Sequence, residues 1–68
     1  MILYTPLWKT MKQKKVTTYH LVEDYKFSRG TLDRLKHHEN VTVNTIDQLC
    51  QILNCRVEDV IVFVPEKS

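Results

Sequence analysis

The stretch Phe27 to His38, FSRGTLDRLKHH, gathers the side chains of this 68-residue chain best suited to hold something anionic. Arg29 and Arg34 stand five positions apart, which on a helix is a rise of about 7.5 Å. Leu32 and Leu35 form an apolar pair that must face inward, so both guanidinium groups face out. Each offers a planar fork of donors, the geometry for bidentate pairing with two acceptors. Lys36, His37 and His38 continue the polar face, and the chain's single glycine, Gly30, sits beside Arg29. Other chemistry is poorly supplied. Cys50 and Cys55 form no CxxC pair and have no downstream His pair at finger spacing, so no metal site is expected. His20, His37 and His38 have no Ser, Cys or Asp partner at a recognisable nucleophile–base spacing. With one glycine there is no Gly-rich phosphate loop, and so short a chain leaves little room for a pocket. No catalytic residue, enzyme activity, cofactor or small-molecule ligand is expected.

The charge distribution agrees with an anionic partner. Residues 1–36 carry eight Lys and Arg against three Asp and Glu, or +5, and residues 37–68 carry two against five, or −3. That asymmetry implies a basic face for a polyanion and an acidic far side, although a solvated lysine-rich helix gives the same count. With 43% hydrophobic and 26% charged residues the composition is that of an ordinary globular domain. The start, MILYTPLWK, lacks the long apolar region of a signal peptide. The longest apolar run, Val60 to Val64, is far short of the roughly 18 residues of a membrane span. Two cysteines are too few for a disulfide scaffold, so a soluble, cytoplasmic protein with reduced thiols is the default.

The elements that must position the arginines follow from caps and periodicity. Thr5-Pro6 starts a first helix, Thr5 capping and Pro6 at the first helical position, running to about Lys14 with Leu7, Trp8, Met11 and Lys15 on one side. VTTYHLVEDYK is a second, short helix capped by Thr17, with Leu21, Val22 and Tyr25 as its buried stripe and Glu23 and Asp24 in water. Ser28 caps a third helix. Between the two lies a turn of about three residues, Tyr25 to Phe27, with Phe27 plugging the corner. After the loop HHENVTV, Asn44 caps a fourth helix with Asp47 three residues on, a near-match to a capping box. Ile46, Leu49, Cys50 and Leu53 form its stripe and Asn54 its left-handed C-terminal residue. RVEDVI is a fifth helix of one or two turns, and VIVFVP a β-rich run for which MILY is the available pairing partner. The expectation is one all-α domain of five helices spanning 1–68, with a small strand pair between the termini.

Two short helices around a tight, apolar-plugged turn are the helix-turn-helix pattern, and the residues match it in detail. Over about residues 6–62 the chain resembles the lambda-repressor-like, Cro/cI-type (XRE) family. Members tend to read T-Q-x-x-L-A-x-x-x-G-[IV]-S-x-x-T-[IL]-S-R-[IL], and here Thr17 and Thr18 take the T-Q positions, Leu21 the Leu, Phe27 the apolar turn position and Ser28 the cap. Thr31, Leu32, Arg34 and Leu35 match the remainder. TIDQLCQILNCRVEDVI is similar to the family's last two helices. Three departures stand out: Val22 replaces the close-packing Ala, Thr18 replaces a Gln, and Lys26 replaces the turn Gly, where positive φ would cost about 1 kcal/mol.

The resemblance implies a sequence-specific regulator of transcription, a repressor, that binds double-stranded DNA with the helix-turn-helix at about 17–36. Helix 28–36 would lie in the major groove. Arg29, Gly30, Thr31, Asp33 and Arg34 are the candidates for base contact, and Thr17, Thr18, Ser28, Lys36, His37 and His38 for phosphate contact. Asp33 has two readings, acceptance from a cytosine amino group or an i,i+4 pair with Arg29, and the second is preferred because phosphates repel a carboxylate. Gly30 either clears space for close approach or is an inexpensive first-turn residue without meaning. Neutral His37 and His38 can donate to phosphate, more strongly when protonated, or else lie in a solvated loop. A homodimer is expected through Val62, Phe63 and Val64, the face of Val62 and Val64 meeting its copy together with Ile2 and Tyr4. The alternatives are that MILY covers the run within one chain, and that the fold serves as an antitoxin-like or adaptor module that binds protein.

Overall fold

The computed structural model describes residues 1–66. The order is β1 (Ile2–Leu3), α1 (Thr5–Lys14), α2 (Thr18–Glu23), α3 (Arg29–Lys36), α4 (Val43–Leu53), a 3-10 turn (Val57–Asp59) and β2 (Val62–Phe63). The expected fifth helix is thus a single 3-10 turn, and the terminal strand pair is present. β1 and β2 are antiparallel with Ile2 opposite Phe63 and Leu3 opposite Val62. Main-chain hydrogen bonds of 2.8 Å in both directions between Met1 and Val64 extend the ladder by one pair.

Each major element contributes one side chain to the centre. Leu7 of α1, Leu21 of α2, Leu35 of α3, Leu49 of α4 and Val60 after the 3-10 turn are the fully buried residues, with Tyr4, Met11, Phe27, Leu32, Ile46 and Leu53 packed around them. Burial of side chains of this size contributes about 1.5–3 kcal/mol apiece. α1 is joined to the 3-10 turn by the buried Thr10, whose Oγ1 donates to the Asp59 carbonyl at 2.7 Å. Asp59 in turn caps its own turn, accepting from the Arg56 N–H at 3.1 Å.

Three local expectations are corrected. Thr5 lies inside α1, whose N-cap is Tyr4, a residue without a side-chain cap bond. Asn44 lies inside α4, whose cap is Thr42; its hydroxyl accepts from the Thr45 N–H at 3.2 Å. Tyr25 is 49% exposed rather than part of the α2 stripe, because α2 ends at Glu23 and the chain has already left the helical path. A fourth concerns the ribbon. Neighbouring strand residues face opposite sides, so Ile2 and Phe63 share one face and Leu3 and Val62 the other. Tyr4 is buried at 4%, so the grouping of Val62 and Val64 with Ile2 and Tyr4 does not exist.

Candidate nucleic-acid interface

The turn that orients α3 is built from one strained and one buried residue. Lys26 takes φ 57°, the left-handed conformation for which glycine is favoured, and this reverses the chain after α2. Phe27 then enters the core at 8% exposure, and its N–H donates to the Leu21 carbonyl at 2.8 Å. Ser28 resumes extended backbone, and its hydroxyl accepts from the Thr31 N–H at 3.4 Å as the α3 cap. Because Leu32 and Leu35 are buried, the helix presents Arg29, Gly30, Asp33, Arg34 and Lys36 to solvent, with Thr31 half-buried.

The candidate residues fall on both flanks of α3. On one, Thr18 of α2 joins Arg29, Asp33 and Lys36 around a groove of about 350 Å³ that also takes in Tyr19, Val22, Glu23 and Leu32. On the other, Ser28 and Thr31 line a groove of about 450 Å³ with the turn residues Tyr25 to Phe27 and with Thr45, Gln48, Gln51 and Ile52 of α4. Thr17 caps α2 reciprocally with His20: its hydroxyl accepts from the His20 N–H, and His20 Nδ1 accepts from the Thr17 N–H, both at 3.2 Å. An accepting Nδ1 leaves the neutral ring's proton on Nε2.

Among the described residues, the ion pairs leave Arg29 and Arg34 uncommitted. Asp33 does not hold Arg29. Its carboxylate lies 3.7 Å from His37 Nδ1, four residues later, and Glu39 lies 4.0 Å away on the other side. An acid followed by a base toward the helix C-terminus is the favoured i,i+4 order. His37 Nδ1 also stands 2.9 Å from the Asp33 carbonyl, which ties the ring to the end of α3.

His38 is held on the N-terminal side of the fold. It takes φ 56°, and the bonds Glu39 N–H to Arg34 carbonyl (2.8 Å) and His38 N–H to Leu35 carbonyl (3.3 Å) close a Schellman motif. Its Nδ1 accepts from the Tyr4 N–H at 3.2 Å, its ring stacks on Tyr4 at 6.0 Å, and the Tyr4 hydroxyl donates to the Glu39 carbonyl at 2.8 Å. Tyr4 therefore anchors the loop that follows α3, a role that nothing in its neighbourhood of sequence reveals. Tyr19, 69% exposed beside Thr18 and Arg29, was also missed; a large aromatic at a solvent position of an amphipathic helix is the signal that could have found it.

The lysines behind the charge asymmetry are on α1 and just past it: Lys9, Lys12, Lys14 and Lys15 are all exposed, and α1 contains no acid. Cys50 and Cys55 are half-buried, and burial together with neighbouring Cys50 and Asp59 pushes the Cys55 thiol up. Among the described residues no group of three His, Cys, Asp or Glu side chains is placed to hold a metal ion, and no helix is long and apolar enough to cross a membrane.

Comparison with known proteins gives two matches. The family model of the Cro/C1-type HTH DNA-binding domain matches residues 6–66. The crystal structure of the transcriptional regulator VanUg superposes with a TM-score of 0.85 at 31% sequence identity, over 96% of this chain and 87% of that one. No curated protein sequence matches.

Proposed function

The chain belongs to the Cro/C1-type helix-turn-helix DNA-binding family, and from that premise we propose that it is a transcriptional regulator, a repressor, that reads double-stranded DNA in the major groove with α3. The observation that carries the reading is the outward face of α3, where Arg29 and Arg34 are exposed and free of ion pairs among the described residues. A guanidinium not already engaged by a carboxylate keeps its donor fork for the O6 and N7 of guanine. Arg29 and Arg34 carry recognition, with Thr31 beside them. Thr17, Thr18 and Ser28 at the helix starts, Lys36 at the end of α3 and His37 and His38 after it hold phosphates on either side of the groove. Since Nδ1 of His38 is taken by Tyr4, that residue contacts phosphate through Nε2. Asp33, turned to His37, offers a carboxylate acceptor to a cytosine amino group only where the neighbouring arginines offset phosphate repulsion.

Two copies bind a two-fold site, pairing through the ribbon that carries Val62, Phe63 and Val64. The experiment is selection from a random duplex library, followed by titration of the selected and a scrambled duplex by fluorescence anisotropy between 50 and 200 mM salt. The expected result is a preferred sequence and a steep loss of affinity with salt, since phosphate contacts release counterions. Failure to bind any duplex would sink the proposal and favour the protein-binding module, whose apolar contacts are insensitive to salt.

A further inference from the structure

Gly30 is the only glycine in the chain, and nothing among the described residues asks for it. Its φ is not positive, so the backbone does not need glycine's freedom. Among the described residues, a Cβ placed on it meets only Ser28 Oγ, at 3.6 Å, beyond its chain neighbours and its own helix backbone, which is ordinary van der Waals contact. In the first turn of a helix, where Gly30 stands, glycine costs less than in the interior, but it gives the fold no gain over alanine. Meanwhile Lys15 and Lys26 hold positive φ, where glycine would relieve strain. The chain places its glycine where its own fold does not benefit and omits it where the fold would.

What benefits is therefore outside the chain. Gly30 is exposed in the first turn of α3, next to Arg29 and one turn before Arg34. We propose that Gly30 is the point of closest approach between α3 and DNA, its bare Cα packed against a base-pair edge in the major groove. The inference rests on the DNA-reading function proposed above. A methyl group at this position holds the helix off the groove floor, and bidentate arginine bonds tolerate little displacement, because both N–H···O distances must stay within about 2.7–3.2 Å with near-linear angles. Gly30 thus sets the depth at which Arg29 and Arg34 read.

The test compares the parent protein with Gly30→Ala on the duplex selected by the parent and on a scrambled duplex, alongside thermal unfolding of both proteins. The expected result is a variant with equal or higher Tm, affinity for the selected duplex lower by about tenfold or more, and affinity for scrambled DNA unchanged. Gly30→Ala binding the selected duplex as tightly as the parent overturns this inference alone. A lower Tm for Gly30→Ala also overturns it, since the need for glycine would then lie inside the fold. A parent protein that prefers no duplex overturns the recognition function and this inference with it.

Discussion

Lys15, Lys26, His38 and Asn54 have φ between 50 and 57°, a conformation that costs a residue with a Cβ roughly 1–2 kcal/mol. Only Asn54 is of a type that adopts it readily. Lys15→Gly and Lys26→Gly should each stabilise the protein by about 1 kcal/mol, net of the glycine's greater freedom when unfolded. In a domain of this size that is a rise in Tm of roughly 4–8 °C, measurable by circular dichroism. His38→Gly should gain nothing, because it gives up the bond to the Tyr4 N–H and the stack on the Tyr4 ring. A gain at His38 equal to that at Lys26 would show that those contacts contribute nothing. Lys26 was legible because it stands where the Cro/cI-type pattern has its turn glycine. His38 was not: in HHENVTV no residue type announces a left-handed position, and the partner that justifies it, Tyr4, is 34 residues away. Arg29→Ala and Arg34→Ala should each cost about 1–3 kcal/mol on the preferred duplex and far less on random DNA, whereas Lys36→Ala should lower the salt slope by about one unit and leave the preference intact. Equal loss on both duplexes would demote an arginine to a phosphate contact.

The helices show which sequence signals suffice to fix an element and which leave its start open. Thr17 and Ser28 were legible as caps because each is a cap-forming residue standing four positions before the first leucine of a helical stripe, Leu21 and Leu32. At α4 two signals competed. Asn44 with Asp47 imitates a capping box, but Thr42 starts the helix two residues earlier and leaves Val43 84% exposed in its first turn. The stripe of Ile46, Leu49 and Leu53 is the same from either start, so periodicity could not decide between them. The choice lies with the Thr45 N–H, which finds its acceptor in the Thr42 hydroxyl. Thr42→Ala should therefore cost about 0.5–2 kcal/mol in chemical denaturation, the usual value of a cap. Asn44→Ala should be neutral or slightly stabilising, given alanine's helix propensity. A larger loss at Asn44 than at Thr42 would restore the later start. Ser28→Ala should cost a similar amount and in addition weaken DNA binding, because the turn it caps carries Arg29.

Across the whole molecule, the strand pair and the buried leucines were legible from apolar patterning, but the facing of the ribbon was not, because a run apolar at every position hides its own alternation. The register decides it. Leu3 is half-buried, Ile2 is 43% exposed and Phe63 65%, with Met1, Val62 and Val64 at 58, 38 and 41%. MILY pairs with the C-terminal run, but it does not cover it as the single-chain alternative required, since Phe63 remains 65% exposed. If the eight-residue α3 reads DNA as proposed, one copy would form only a small specific interface, and pairing across a two-fold site with half-sites about 34–36 Å apart would double it. In the proposed dimer the exposed apolar side chains of the ribbon would meet their copies across the two-fold axis. Sedimentation of the parent at micromolar concentration should give twice the 8.1 kDa of the chain, and Phe63→Glu should give a monomer. Since Phe63 adds little to the core, the variant should keep its fold and bind a two-site duplex no more tightly than a half-site. If Phe63→Glu still dimerises, the interface lies elsewhere. If the parent is monomeric both free and on a two-site duplex, each copy reads DNA alone and the ribbon does no more than close the core over Tyr4 and Val60.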